Sequence, residues 1–138
     1  MGQREAGQKI IREMMGDEIA GRLMDSAASG TFGSAVAGFA IDDAFGEIWT
    51  RPGLDRKARS LISMAVMIAL RQPNEFAVHM NIALNNGLSL EEIEEALIQT
   101  LPYVGFPAVA TALAAATKVI QERGIDKNPA HRGHRGLL

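Results

Sequence analysis

Apolar side chains recur every three to four residues along most of this chain, a spacing that predicts helices. Ile10, Ile11, Met14 and Met15 share one side of a first helix over residues 3–15, and Gly16 ends it. A second helix runs from Asp17 to Ala28, and the glycine-bearing residues 29–33 read as a turn. Residues 34–49 fit a third helix with Val36, Phe39, Ala40 and Ile48 as its apolar side, although Gly38 and Gly46 are poor helix formers. Arg51, Pro52 and Gly53 break the pattern, and Asp55 offers an N-cap for a helix over 56–70. The apolar run 61–70 leaves that helix no polar face, so neighbours must cover it all round, some of that cover coming from another subunit.

Asn74 reads as the N-cap of the next helix, which the Asn86-Gly87 pair ends in left-handed geometry. Ser89 followed three residues later by Glu92 has the capping-box form and opens a helix to about Leu101, interrupted by Pro102 and Gly105. The last helix starts near Pro107 and runs to Arg123, with Gly124 as its stop and a series of alanines that permit close helix contact. No stretch alternates like a strand, so the expectation is an all-α, compact, single-domain bundle of about six helices. Within it, residues 1–15 form an N-terminal amphipathic helix, 16–124 the domain, and 125–138 a polar, basic tail without a core-forming pattern.

Composition narrows the chemistry. Fourteen Lys and Arg against sixteen Asp and Glu give no basic footprint for nucleic acid or for an anionic membrane. Cysteine is absent, which excludes disulfides, thiolate metal sites and thiol catalysis. The longest apolar run is about half of the ~18 residues that a bilayer span requires. The first fifteen residues are amphipathic and charged rather than signal-like, so the expected location is cytoplasmic. No phosphate-binding loop or ligand cluster is visible, so neither a metal nor another cofactor is expected. His131 and His134 have H-x-x-H spacing but no third ligand nearby.

Glu75 and His79 stand four residues apart on a predicted helix, so the carboxylate can reach the imidazole and raise its proton affinity, with partial burial or a substrate carboxylate setting the final state. The pair is either a usable acid/base unit or an ordinary helix-surface pair. Flanking Phe76, Val78 and Met80 place His79 at the edge of a cavity in this reading. Arg51, beside the single Trp49 in a stiff proline turn, is placed to grip a carboxylate in bidentate fashion, or else to cap a helix end while Trp49 joins the core. Tyr103 sits in the expected helix break, where its phenol faces a pocket or bonds a free carbonyl. Glu91, Glu92, Glu94 and Glu95 read as a solvated helix face.

These elements, taken together in order and spacing, resemble a known family. Residues 45–55 (FGEIWTRPGLD), Arg59-Ser60-Leu61, the E-x-x-x-H of Glu75 and His79, residues 83–87 (ALNNG) and Glu91-Glu92-Ile93 are similar to the carboxymuconolactone decarboxylase family over roughly residues 16–122. The resemblance implies an all-α subunit in a ring-like homo-oligomer, a trimer or hexamer. The family's redox branch carries C-x-x-C-x-x-x-H; aligned on His79, its cysteines fall at Gln72 and Glu75, so a thiol peroxidase is excluded. What remains implied is cofactor-free loss of CO2 from 4-carboxymuconolactone, giving 3-oxoadipate enol-lactone in aromatic catabolism. His79 would be the proton donor oriented by Glu75, with Arg51, Trp49 and Tyr103 as substrate-binding candidates. Two departures stand out: Asp42-Asp43-Ala44-Phe45 replaces the usual R-Y-A-W, and Ala110 replaces an asparagine, which predicts a more apolar pocket. A different, more apolar cyclic substrate and a non-catalytic ligand-binding oligomer are the alternatives.

Overall fold

A computed structural model describes residues 1–125, and the expected tail with His131 and His134 lies outside them. Among the described residues there are only helices and turns, in two compact units, one from Met1 to Arg56 and the other from Lys57 onward.

The first unit contains α1 (Gln3–Met15), α2 (Asp17–Ala28), α3 (Ser34–Phe39) and, continuous with α3, a π-helix (Ala40–Ile48). The expected third helix is therefore present but changes winding midway. Gly16 and Gly33, both at φ +91, turn the chain into α2 and α3, a conformation L side chains seldom adopt. Ile11, Ala20 and Ile41 form the buried centre, with Leu23, Met24 and Phe45 packed against them.

Glycine lets α1 and the π-helix meet backbone to backbone. A Cβ on Gly7 would collide with the carbonyl oxygen of Ile41, and a Cβ on Gly46 with the carbonyl oxygen of Gln3. Gly46 thus marks a close approach rather than a weak helix.

The second unit is built from α4 (Arg56–Ala69), α5 (Pro73–Asn85), α6 (Leu90–Val104) and α7 (Phe106–Arg123). Met64 and Ile68 of α4, Phe76, Met80 and Ala83 of α5, Ile93 and Leu97 of α6, and Ala112, Ala116 and Val119 of α7 make one continuous core. At the far side of this core α7 holds α5 through Arg123, whose guanidinium donates to Asn81 Oδ1 at 2.9 Å and Asn85 Oδ1 at 3.0 Å. Asn86 Nδ2 donates to the buried Ser60 Oγ at 3.0 Å.

Helix ends follow local chemistry, with two corrections. The capping box is formed: Ser89 Oγ accepts from the Glu92 amide at 3.1 Å, and Glu92 Oε1 accepts from the Ser89 amide at 3.0 Å. Gly87, at φ +96, ends α5 as expected, with the Leu88 amide reaching back to the Ala83 carbonyl. Asn74 is not an N-cap, because Pro73 starts α5 and Gln72 takes the cap position. Pro102 does not interrupt α6, which continues to Val104; proline there removes one amide near the helix end, where few bonds remain to be lost. Within the single chain Ile62, Val66 and Leu70 remain 53%, 44% and 62% exposed, so the cover that the sequence reading asks for is not supplied by this chain's own described residues.

Candidate active site

The register of α5 sets the surroundings of its histidine. Phe76, Met80 and Ala83 point into the core, Glu75 and Val78 face solvent, and His79 falls at the boundary, half-buried. Its Nδ1 is buried and has no hydrogen-bond partner among the described residues. Lost hydration penalises the imidazolium, so burial pushes the His79 pKa below the ordinary 6.5 and the ring is neutral at pH 7.

Glu75 shares this turn of α5, but its carboxylate is exposed, and among the described residues it makes no hydrogen bond or ion pair. The expected rise in the proton affinity of His79 is therefore corrected to a fall. An exposed carboxylate acts through water and is screened, whereas the burial of the ring is not.

Tyr103 lies in the last turn of α6 and is 81% exposed, so the expected helix break comes later, at Gly105, and the phenol faces solvent. Clefts open on this unit. One, of about 600 Å³, lies between α5 and α7 and is lined by Asn74, Ala77, Thr111 and Lys118 among others; another, of about 430 Å³, is lined by α4 and α6 residues including Leu61, Ala65 and Glu92. Glu75, His79 and Tyr103 line neither. Glu91, Glu92, Glu94 and Glu95 are all exposed, as a solvated face should be.

Trp49 and Arg51 sit together in the first unit, where the π-helix unwinds. The Trp49 amide closes the final wide turn onto the Ala44 carbonyl at 2.9 Å, and its ring stacks on Phe45 with centroids 6.3 Å apart. Thr50 Oγ1 donates to the carbonyl of Gly46 at 2.8 Å, and the Arg51 amide reaches the Ile48 carbonyl at 3.2 Å. Arg51 is thereby carried, exposed, on a short segment whose backbone is tied to the π-helix. Among the described residues no group of three or more His, Asp or Glu could hold a metal ion.

A family model described as the carboxymuconolactone decarboxylase family matches residues 35–118, a segment that contains Trp49, Arg51, Glu75, His79 and Tyr103. The chain belongs to the carboxymuconolactone decarboxylase family. It is 32% identical over 119 residues to a 4-carboxymuconolactone decarboxylase of Acinetobacter baylyi, covering 86% of this chain and 87% of that protein. It is also 30% identical over 128 residues to a nitrosuccinic acid decarboxylase of Metarhizium robertsii, covering 93% and 87%. Both relatives are decarboxylases, and within this family the chain is a carboxy-lyase.

Family membership gives Asp42 and Asp43 of the π-helix a particular interest. Asp42 accepts a paired contact from the guanidinium of Arg4 on α1, with Nη2 to Oδ2 at 2.7 Å, and that contact holds the Asp42 carboxyl below the usual carboxylate range. Gln3 Nε2 donates to the main-chain carbonyl of Asp42 at 2.8 Å, to Asp43 Oδ1 at 3.2 Å and to Glu47 Oε2 at 3.2 Å. The acids that replace the usual R-Y-A-W therefore dock α1.

Sequence reasoning missed Gln3 and Arg4 because their partners lie about forty positions away. The available signal was a glycine inside each of two helices, Gly7 and Gly46, which marks close packing as readily as weakness.

Proposed function

We propose that this carboxy-lyase decarboxylates 4-carboxymuconolactone to 3-oxoadipate enol-lactone without a cofactor, with His79 delivering the proton to carbon. The observation that carries the reading is a half-buried histidine whose Nδ1 is unpartnered, in a chain whose relatives are decarboxylases. A polar atom left buried without a partner costs free energy and is often explained by a catalytic task.

The chemistry suits a site of few parts. The bond to the departing carboxylate breaks heterolytically, CO2 leaves, and the electron pair spreads through the ring double bond to the lactone carbonyl. A proton from His79 then closes the product at carbon, and solvent restores the proton to the ring. The substrate is its own electron sink, so the protein orients it and supplies the proton. The substrate of the second relative, nitrosuccinic acid, pairs carboxylates with a nitro group, which is likewise an electron acceptor. A carboxylate beside an acceptor is thus the class of substrate that both relatives' names share.

Arg51 is the candidate for gripping a retained carboxylate, and Trp49 and Tyr103 are further candidates for substrate contact. Glu75 acts on His79 through the field of its charge. Arrival of a dianionic substrate raises the proton affinity of a neutral His79, so binding itself prepares the acid. The chain works as a homo-oligomer, in which a second copy covers the open stripe of Ile62 and Val66 on α4 and Leu70 just after it.

The test is CO2 release by purified protein from 4-carboxymuconolactone, with nitrosuccinic acid in parallel. Turnover of the lactone that is lost in a folded His79→Gln variant supports the reading. Equal rates in that variant overturn the mechanism, and no turnover by wild type overturns the assignment.

A further inference from the structure

Arg51 is exposed, on a backbone segment tied to the π-helix. Pro52 and Gly53 follow it in an exposed turn, and the bonds described above tie the preceding residues to the π-helix: Trp49 to Ala44, Thr50 to Gly46 and Glu47, and Arg51 to Ile48. The backbone that carries Arg51 therefore follows the register of the π-helix.

That register is an unusual one to hold. Bonds between residues five apart leave a wider, more poorly packed coil than an α-helix, and such turns persist where the surroundings specify them. Here α1 does so at three points. Gly7 sits against the Ile41 carbonyl, near the start of the π-helix, and Gly46, near its end, sits against the Gln3 carbonyl. Between these contacts, the single side-chain amide of Gln3 reaches three acceptors, one of them main chain, spread over Asp42, Asp43 and Glu47. Arg4 neutralises Asp42 beside it. The α1 helix lies outside the segment matched by the family model, which begins at residue 35.

We propose that α1 is a positioning element for the substrate-binding arm, with Gln3 as the positioning residue that fixes the π-helix and so aims Arg51 at the retained carboxylate. The part concerning substrate rests on the function proposed above; the part concerning the Trp49–Arg51 segment does not.

Two readouts separate these parts. Trp49 is the single tryptophan and stacks on Phe45 of the π-helix, so its fluorescence reports the segment without substrate. Gln3→Ala removes the donor, while Gln3→Lys keeps a donor among the same three acceptors. In folded full-length protein, Gln3→Ala is expected to red-shift Trp49 emission and increase its quenching by acrylamide, and Gln3→Lys to remain like wild type. With 4-carboxymuconolactone as substrate, Gln3→Ala is expected to raise KM about 3- to 10-fold with kcat within about twofold, the pattern of lost binding rather than lost chemistry. That rise is expected to vanish in an Arg51→Gln background, because the two residues act through one contact.

Unchanged Trp49 fluorescence in Gln3→Ala overturns the inference whatever the substrate proves to be. A KM effect that persists undiminished in the Arg51→Gln background also overturns it. An altered Trp49 signal with no effect of Arg51→Gln on KM leaves the positioning of the segment supported and overturns instead the role given to Arg51.

Discussion

Glu75 and His79 stand one helical turn apart on α5 with no hydrogen bond between them, the carboxylate in solvent and the imidazole half-buried. Under the proposed mechanism this inequality separates their roles. The desolvated group has the perturbed proton affinity and the unpartnered nitrogen, while the exposed one can act only through a water-screened field. His79→Gln is therefore expected to lower kcat by about 10²- to 10⁴-fold, the scale of a lost general acid, with KM changed much less. Glu75→Gln is expected to cost under about tenfold. Initial rates of CO2 release, with thermal melts to establish folding, check both; a larger loss in Glu75→Gln than in His79→Gln reverses the assignment.

The lowered pKa of His79 gives a pH dependence with a definite sign. In the free enzyme the protonated ring is lost as pH rises through a value below 6.5, so kcat/KM is expected to fall across that range. On the proposed mechanism a bound dianion raises the same pKa, so kcat is expected to hold to higher pH than kcat/KM. Stability moves in the opposite direction. Below 6.5 the unfolded chain takes up a proton that folded His79 declines, so folding weakens as pH falls from 6.5 toward the folded value, and His79→Gln lacks this component. Paired pH–rate profiles and melts of both proteins test the two halves separately; coincident profiles for kcat and kcat/KM would count against substrate-driven protonation.

Most of the helices were legible from the chain because their signals are local. Gly16 closes α1, Ser89 and Glu92 open α6 as a capping box, and Gly87 stops α5. The winding of residues 40–48 was not legible, because over nine residues an apolar pattern fits α and π periods almost equally well. What selects the wide coil is contact with α1, from about forty positions away. Asn74 failed as an N-cap for a smaller reason, since Pro73 beside it is the stronger start signal and takes the first helical position. At the site, spacing alone placed Glu75 and His79 on one turn of a helix. It could not reveal that burial of the ring outweighs the carboxylate, because burial depends on how α5 rolls against its neighbours.

The glycine contacts predict a reversal of helix propensity. In an open helix, Gly→Ala is favourable by about 1 kcal/mol. Gly21, inside α2 with open space where an added methyl would lie, is expected to follow that rule, so Gly21→Ala raises the melting temperature. Gly7→Ala makes the same change inside α1, but its methyl meets the Ile41 backbone, which cannot rotate away as a side chain would. Overpacking of this kind costs about 1–3 kcal/mol, enough to exceed the propensity gain, so Gly7→Ala is expected to lower the melting temperature. Melts of the two variants at one pH decide it; a stabilised Gly7→Ala would show that α1 shifts freely.

The apolar stripe on α4 leads to the last expectation. Ile62, Val66 and Leu70 follow one another at four-residue steps, so their exposed parts align along one face of the helix. Scattered single apolar residues on a surface are ordinary, but an aligned row on one helix face is the pattern of a buried contact. If a second copy covers the row, a charge placed at its centre must be buried without a partner, at a cost of several kcal/mol. Within the single chain the same charge at half-exposed Val66 projects into water and costs little. Val66→Glu is therefore expected to dissociate the assembly while leaving each subunit folded. Light scattering at micromolar concentration, together with far-UV circular dichroism, is the measurement. Wild type running as a 14.8 kDa monomer removes the proposed assembly. An oligomer that survives Val66→Glu unchanged moves the interface away from α4.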